Sequence, residues 1–158
     1  MTALSRKQYI HHIEHLPEDL ADAVSGLSDE QLDTPYRSGG WTLRQVVHHL
    51  ADAHMHAYIR MKLAFTEHHP TLKTYDQNAW AELADACEFP IEASILIIKG
   101  LHARWAAFLK SIPETDWTRT AFHPENGDMK LETFLEYYAA HGRHHVEQIR
   151  KLRQEKGW

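Results

Sequence analysis

Four long stretches of this 158-residue chain carry apolar residues at the three-to-four spacing of an α-helix, and strand-like alternation between them is weak. Gly and Pro punctuate the pattern at Ser38-Gly39-Gly40, Pro70, Pro90, Pro113, and Pro124 with Gly127. The first stretch runs from Ser5 to Leu27, with a kink or restart expected at Pro17, which has no amide proton to give the helix. Ser28-Asp29-Glu30-Gln31 has the form of a capping box and should start a short helix. Thr42 is suited to cap a long helix from Leu43 to His68. Asp76 to Ala86 reads as a short helix within a long connection. Pro90 suits the first turn of a third long helix ending near Ile112. Thr118 to Lys130 has turn chemistry with room for a small hairpin, and a fourth long helix covers Leu131 to Glu155. The pattern predicts an all-α four-helix bundle with short helical inserts in its connections, one domain over residues 1–158. The connection from His69 to Phe89 is long enough to be a crossover.

Bulk properties exclude several functions. A formal charge of −5 gives no reason to expect a nucleic-acid partner. No apolar run is long enough to span a bilayer, and the most apolar one, Ile91 to Ile98, is broken by Glu92 and Ser94. The opening Met1-Thr2-Ala3-Leu4-Ser5 lacks the apolar core of a secretion signal, so a cytoplasmic protein without a membrane partner is expected. A single cysteine, Cys87, excludes a disulfide framework and any Cys-rich zinc module, and is expected to be a reduced thiol without a role.

The composition departs from the ordinary in its 14 histidines. Helical geometry, at about 100° per residue, sorts them. On the second long helix the apolar stripe is Leu43, Val46, Val47, Leu50, Ala53, Ala57 and Met61. His49 sits at one margin of this stripe, with His56 beside that edge. His54 borders the other side, and His48 points to solvent. On the fourth helix His145 falls within the stripe and His141 flanks it one turn earlier, while His144 points away. His141 and His145 are therefore an i, i+4 pair on an inward face, a spacing at which two imidazoles can share one ion. Spacing alone leaves open a hydrogen-bonded pair at a bundle seam. Gly142 stands where the HExxH proteases carry Glu, and should leave space beside the pair. A third ligand must come from another helix, and His49 is the best placed. Three neutral imidazoles leave a fourth position for water or substrate, as in catalytic zinc sites. His11, His12 and His15 read as a solvated face, His68 and His69 as a helix end, His102 as a residue without a partner, and His123 as a loop residue. Trp41, Trp80 and Trp105 read as packing residues.

The stretch from Gln31 to Met55, with Pro35-Tyr36-Arg37-Ser38-Gly39-Gly40-Trp41-Thr42 and His48-His49-Leu50 within it, resembles the YfiT branch of the DinB-like superfamily. So do Tyr58 to Glu67, Phe122-His123-Pro124-Glu125, and the motif His141-Gly142-Arg143-His144-His145-Val146-Glu147-Gln148-Ile149. The resemblance implies a four-helix bundle holding one divalent ion on His49, His141 and His145, and a cytoplasmic homodimer. Zinc is the first choice of ion, with nickel or iron as alternatives. Members of this family carry an extension before the first helix, whereas this chain starts almost directly on that helix.

Such members are metal-dependent hydrolases, or transferases that join bacillithiol, a small thiol, to electrophiles. The first expectation here is thiol S-transfer, with a small-molecule thiol and an electrophile as partners. It requires no protein nucleophile, in keeping with a chain that shows no convincing catalytic Ser or Cys. The alternatives are hydrolysis by metal-activated water and a non-catalytic metal-binding bundle. Asp52, one turn from His49, is a candidate to orient an imidazole or act as a base, and Glu136 reads as a surface acid. Arg44, Arg60 and Arg143 lie on the ligand-bearing helices and are candidates to receive a carboxylate on the thiol, although exposed arginines are the commoner outcome.

Overall fold

A computed structural model describes residues 1–158. Helix α1 spans Ala3–Val24, α2 Asp29–Leu32, α3 Leu43–Thr66, α4 Gln77–Ala81, α5 Ala84–Cys87, α6 Glu92–Ser111 and α7 Leu131–Lys156. A two-stranded antiparallel hairpin, β1 Thr120–His123 and β2 Gly127–Lys130, precedes α7. The expected capping boxes are present at Ser28/Gln31 and Thr42/Gln45, each with both reciprocal bonds made. Gly157, at φ 70°, closes α7 in the left-handed conformation, where a side chain would be strained.

The four long helices form the expected bundle. Helices α1 and α3 each pack against both α6 and α7, so α1 faces α3 across one diagonal and α6 faces α7 across the other. The connection between α3 and α6, expected as a possible crossover, therefore joins neighbours. The diagonal steps are α1 to α3 and α6 to α7.

Four local expectations are corrected. Pro17 neither kinks α1 into two helices nor restarts it; the helix continues through it. What Pro17 does is leave the carbonyl of Ile13 without its helical donor. The segment 76–86 is two short helices separated by Glu82 and Leu83. Helix α3 ends at Thr66, so His68 and His69 lie beyond it, and His69 bonds Asp128 in the hairpin at 2.8 Å. Pro90 precedes α6, whose N-cap is Ile91.

The core falls into two apolar clusters stacked along the bundle axis. One holds Ile10, Ile13, Met61, Trp105, Leu109, Phe134 and Leu135. The other holds Leu16, Leu20, Leu43, Val46, Leu50, Ile98, Val146 and Ile149. Buried between the two sets stand His54 on α3, His102 on α6 and Gly142 on α7, with His141 beside it. A layer of imidazoles thus crosses the bundle at mid-height. It survives burial because both ring nitrogens of His54 and His102 and the Nδ1 of His141 are paired, an unpaired buried polar group costing about 1–3 kcal/mol.

Candidate metal centre

Of the 14 histidines, the structure brings His49, His141 and His145 together, each offering one ring nitrogen within 4.8 Å of the others. The Nε2 of His141 lies 3.2 Å from that of His49 and 3.2 Å from that of His145. Two nitrogens that each sit about 2.0–2.1 Å from one tetrahedral ion are roughly 3.3 Å apart, so the spacing suits a shared first-row divalent ion.

The protons on these rings can be assigned from their other partners. Nδ1 of His102 lies against the carbonyl of Ile13, the one Pro17 leaves free, so Nδ1 must donate and Nε2 must accept. Nδ1 of His54 is 2.9 Å from that Nε2 and therefore donates, leaving Nε2 of His54 as an acceptor. Nδ1 of His141 is 3.2 Å from His54 Nε2 and donates in turn. The Nε2 of His141 is left as a lone pair facing the cluster. His145 reaches the same state by another route: its Nδ1 donates to Oε1 of Gln148 at 2.8 Å, and the amide of Gln148 donates to His144 at 2.9 Å. Thus the Nε2 atoms of His141 and His145 are unprotonated at 3.2 Å separation, a contact that a cation would satisfy and a hydrogen bond does not.

Burial keeps the rings neutral. Desolvation, reinforced by neighbouring imidazoles, lowers His141 to about 2 and His49 to about 3. Desolvation lowers His102 to about 4 against the opposing bond to Ile13, and lowers His54 well below the usual range. Neutral imidazole is the form that ligates metal, so the donor set fits an ion without first losing protons.

The sequence placed several of these residues differently. His48 does not point to solvent: it is 7% exposed, accepts from the hydroxyl of Ser94 at 2.7 Å and donates to the carbonyl of Phe89 at 3.0 Å. The reason is that Phe89 and the first turn of α6 lie against the side of α3 that its apolar stripe leaves bare. His102 has partners after all, and His54 lies at the centre of the bundle, fully buried. Gly142 does not leave open space: a Cβ there would lie 2.6 Å from Leu16 Cδ2 and 3.2 Å from His54 Cε1. Asp52 makes no hydrogen bond to His49, His141 or His145; burial, and then Asp85, raise it to about 6. His54 holds the orienting position expected of Asp52. Arg44 is not exposed but locked between Asp29 and Asp33. Glu136 is exposed, as expected, and accepts from Tyr9. The one signal in the sequence for the missed pair is His102 itself, a lone imidazole between Ile98 and Trp105 on the buried face of α6.

Two cavities open onto the cluster. One, about 640 Å³, is lined by Arg60, Tyr75, His123, Tyr138 and His141 among others. The second, about 380 Å³, is lined by Tyr36, Trp41, His49, His144 and His145 among others. Gln77, Asn78, Tyr137 and His141 line both, so the cavities meet at His141. The ring of Trp41 packs on that of His49, with centroids 4.7 Å apart, so this tryptophan helps to hold the His49 ring.

Comparison with known proteins agrees with this architecture. The DinB superfamily model matches residues 12–149, and the chain belongs to that superfamily. A Geobacillus kaustophilus protein bearing the name "Putative metal-dependent hydrolase" is 54% identical over 154 residues, covering 96% of this chain and 86% of its own. A protein of the same name from Oceanobacillus iheyensis is 49% identical over 158 residues, covering 100% of this chain and 91% of its own. The solved structure of YfiT from Bacillus subtilis matches with a TM-score of 0.97 at 41% identity, covering 100% of this chain and 91% of that one. It is described as a probable metal-dependent hydrolase with an unusual four-helix bundle topology.

Proposed function

We propose that this protein is a metal-dependent enzyme holding one divalent ion, zinc first, on His49, His141 and His145, and that it transfers a small thiol to an electrophile. The names of its relatives support a metal-dependent enzyme. The observation that carries transfer over hydrolysis is the pair of cavities meeting at His141, one for each of two substrates. When bound, the ion supplies Lewis acidity that keeps a thiol ionised, and hence nucleophilic, near neutral pH.

The protein's own residues then have positioning work. His54 and His102 fix the ring of His141, and Gln148 fixes that of His145. Neither cavity is lined by a serine or cysteine. The smaller has no carboxylate in its lining, and the two in the larger, Asp76 and Glu125, are exposed. Hydrolysis would lack a buried general base. Cys87 bonds the carbonyl of Ala81 and lines neither cavity, so the reacting sulfur arrives with the substrate.

Zinc-loaded protein is incubated with a thiol and a bimane or chlorinated electrophile, and separately with esters and amides. Conjugation that disappears in His49→Ala, His141→Ala and His145→Ala is expected; ester or amide cleavage without conjugation would establish the hydrolase instead. A homodimer is part of this proposal: Leu96 and Ile97, 68% and 43% exposed on the outer face of α6, offer it an apolar surface. A monomer in sedimentation equilibrium overturns that part.

A further inference from the structure

The histidines outside the central layer include a second i, i+4 pair. His11 and His15 stand one turn apart on α1, and both are exposed. Their ring centroids are 3.9 Å apart. That is closer than any two rings of the central trio, where the separations are 4.6, 5.0 and 5.3 Å. Ile13, between the two, is 1% exposed, and its carbonyl carries His102. The pair therefore lies on the opposite face of α1 from the buried imidazoles.

The proton on His15 can be placed. Its Nδ1 lies 3.0 Å from the carbonyl oxygen of His11, which only accepts, so Nδ1 donates. The Nε2 of His15 is then an unprotonated lone pair facing water. The His11 side chain makes no hydrogen bond, so its ring is free to present a second lone pair beside the first. Two imidazoles at this spacing on a helix can share one ion.

The surroundings suit a cation. Glu14 and Glu18 follow His11 by three and seven residues and fall on the same helical face. Glu14 accepts from Lys110 at 2.5 Å, whereas Glu18 forms no ion pair. The only group of three close donors is His49, His141 and His145, so no carboxylate joins the surface pair as a third ligand. Water fills the other positions. Imidazole donors select copper, nickel or zinc over magnesium and calcium, which take oxygen ligands.

We infer that His11 and His15 form a second metal site, a solvent-open chelate for a late first-row divalent ion, distinct from the central one. With two protein donors against three, it is the weaker of the two. Zinc at levels that fill the centre leaves it largely empty.

The test uses the full chain without an affinity tag and reads the pair in two ways. An ion fixed to a resin reaches surface imidazoles and not the buried trio. Wild type is expected to be retained on immobilised nickel, and His11→Ala and His15→Ala to elute at severalfold lower imidazole. His68→Ala, which removes another exposed histidine, should elute with wild type. In the second measurement, zinc-filled protein is dialysed against nickel and both metals are counted by elemental analysis. Wild type is expected to hold one nickel beside its zinc, and each alanine variant to bind nickel at least tenfold more weakly. Both positions are exposed and alanine favours the helix, so these variants keep the fold. Retention and nickel content unchanged in His11→Ala and His15→Ala would overturn the site, as would a wild type that takes up no nickel beside its zinc.

Discussion

The Nε2 of His54 lies 3.2 Å from the Nδ1 of His141, and that contact decides which nitrogen of His141 is free for an ion. It stands at the end of a chain that begins with a proline. Pro17 frees the carbonyl of Ile13, His102 donates to it, His54 donates to His102, and His141 donates to His54.

Breaking this chain should weaken ion binding without touching a ligand. His54→Phe and His102→Phe are expected to lower zinc affinity about 10–100-fold, the usual cost of losing a group that orients a ligand. Competition with a chelator measures the affinity, and nitrogen NMR of the imidazoles reads the tautomers directly. A His141 that stays protonated on Nδ1 in His102→Phe, with unchanged affinity, would disprove the relay.

Acid should unfold the ion-free protein sharply. His49, His54, His102 and His141 are neutral in the fold well below pH 6.5, whereas the unfolded chain protonates them near 6.5. The unfolded state then binds more protons, so stability is full above about pH 6.5 and falls as pH drops toward the folded values. Each such group contributes a slope of about 1.4 kcal/mol per pH unit. Four together exceed the stability of an ordinary domain within roughly two to three units, placing acid unfolding at about pH 3.5–4.5. Urea titrations across this range should show uptake of at least two protons; a flat profile from pH 7 to 4.5 would count against it.

Gly142→Ala should destabilise the protein by about 1–3 kcal/mol, because the added methyl overlaps Leu16 and crowds His54. Chemical denaturation measures the loss. The same variant should bind zinc more weakly, since the His54 ring it displaces is the one that holds His141.

Zinc should stabilise the folded protein in proportion to its occupancy, by about 2.7 kcal/mol at a hundred times its dissociation constant. The shift in melting temperature should vanish in His141→Ala and His145→Ala. A shift that persists in both would place the ion elsewhere.

Much of this was legible in the chain. Periodicity gave the four helices, the capping boxes at Ser28 and Thr42 marked two starts, and turn residues marked the hairpin. The i, i+4 spacing of His141 and His145 and the stripe margin at His49 singled out the trio. All these are local: they depend on residues within a turn or two of one another, which one helix's geometry relates without knowledge of its neighbours.

What the sequence alone could not decide lies between helices. His54 and His102 are 48 residues apart, and nothing in either helix sets the height at which the two meet. The stripe on α3 sent His48 to solvent, because a stripe shows the first face a helix buries and not the second, where Phe89 and the first turn of α6 meet His48. Arg60 looked like any arginine on a long helix until its burial and the cavity beside it were seen together. The sequence determined which side chains each helix could present inward. Tertiary packing decided which of them would meet, since that depends on how helices far apart in the chain set their heights and rotations against one another.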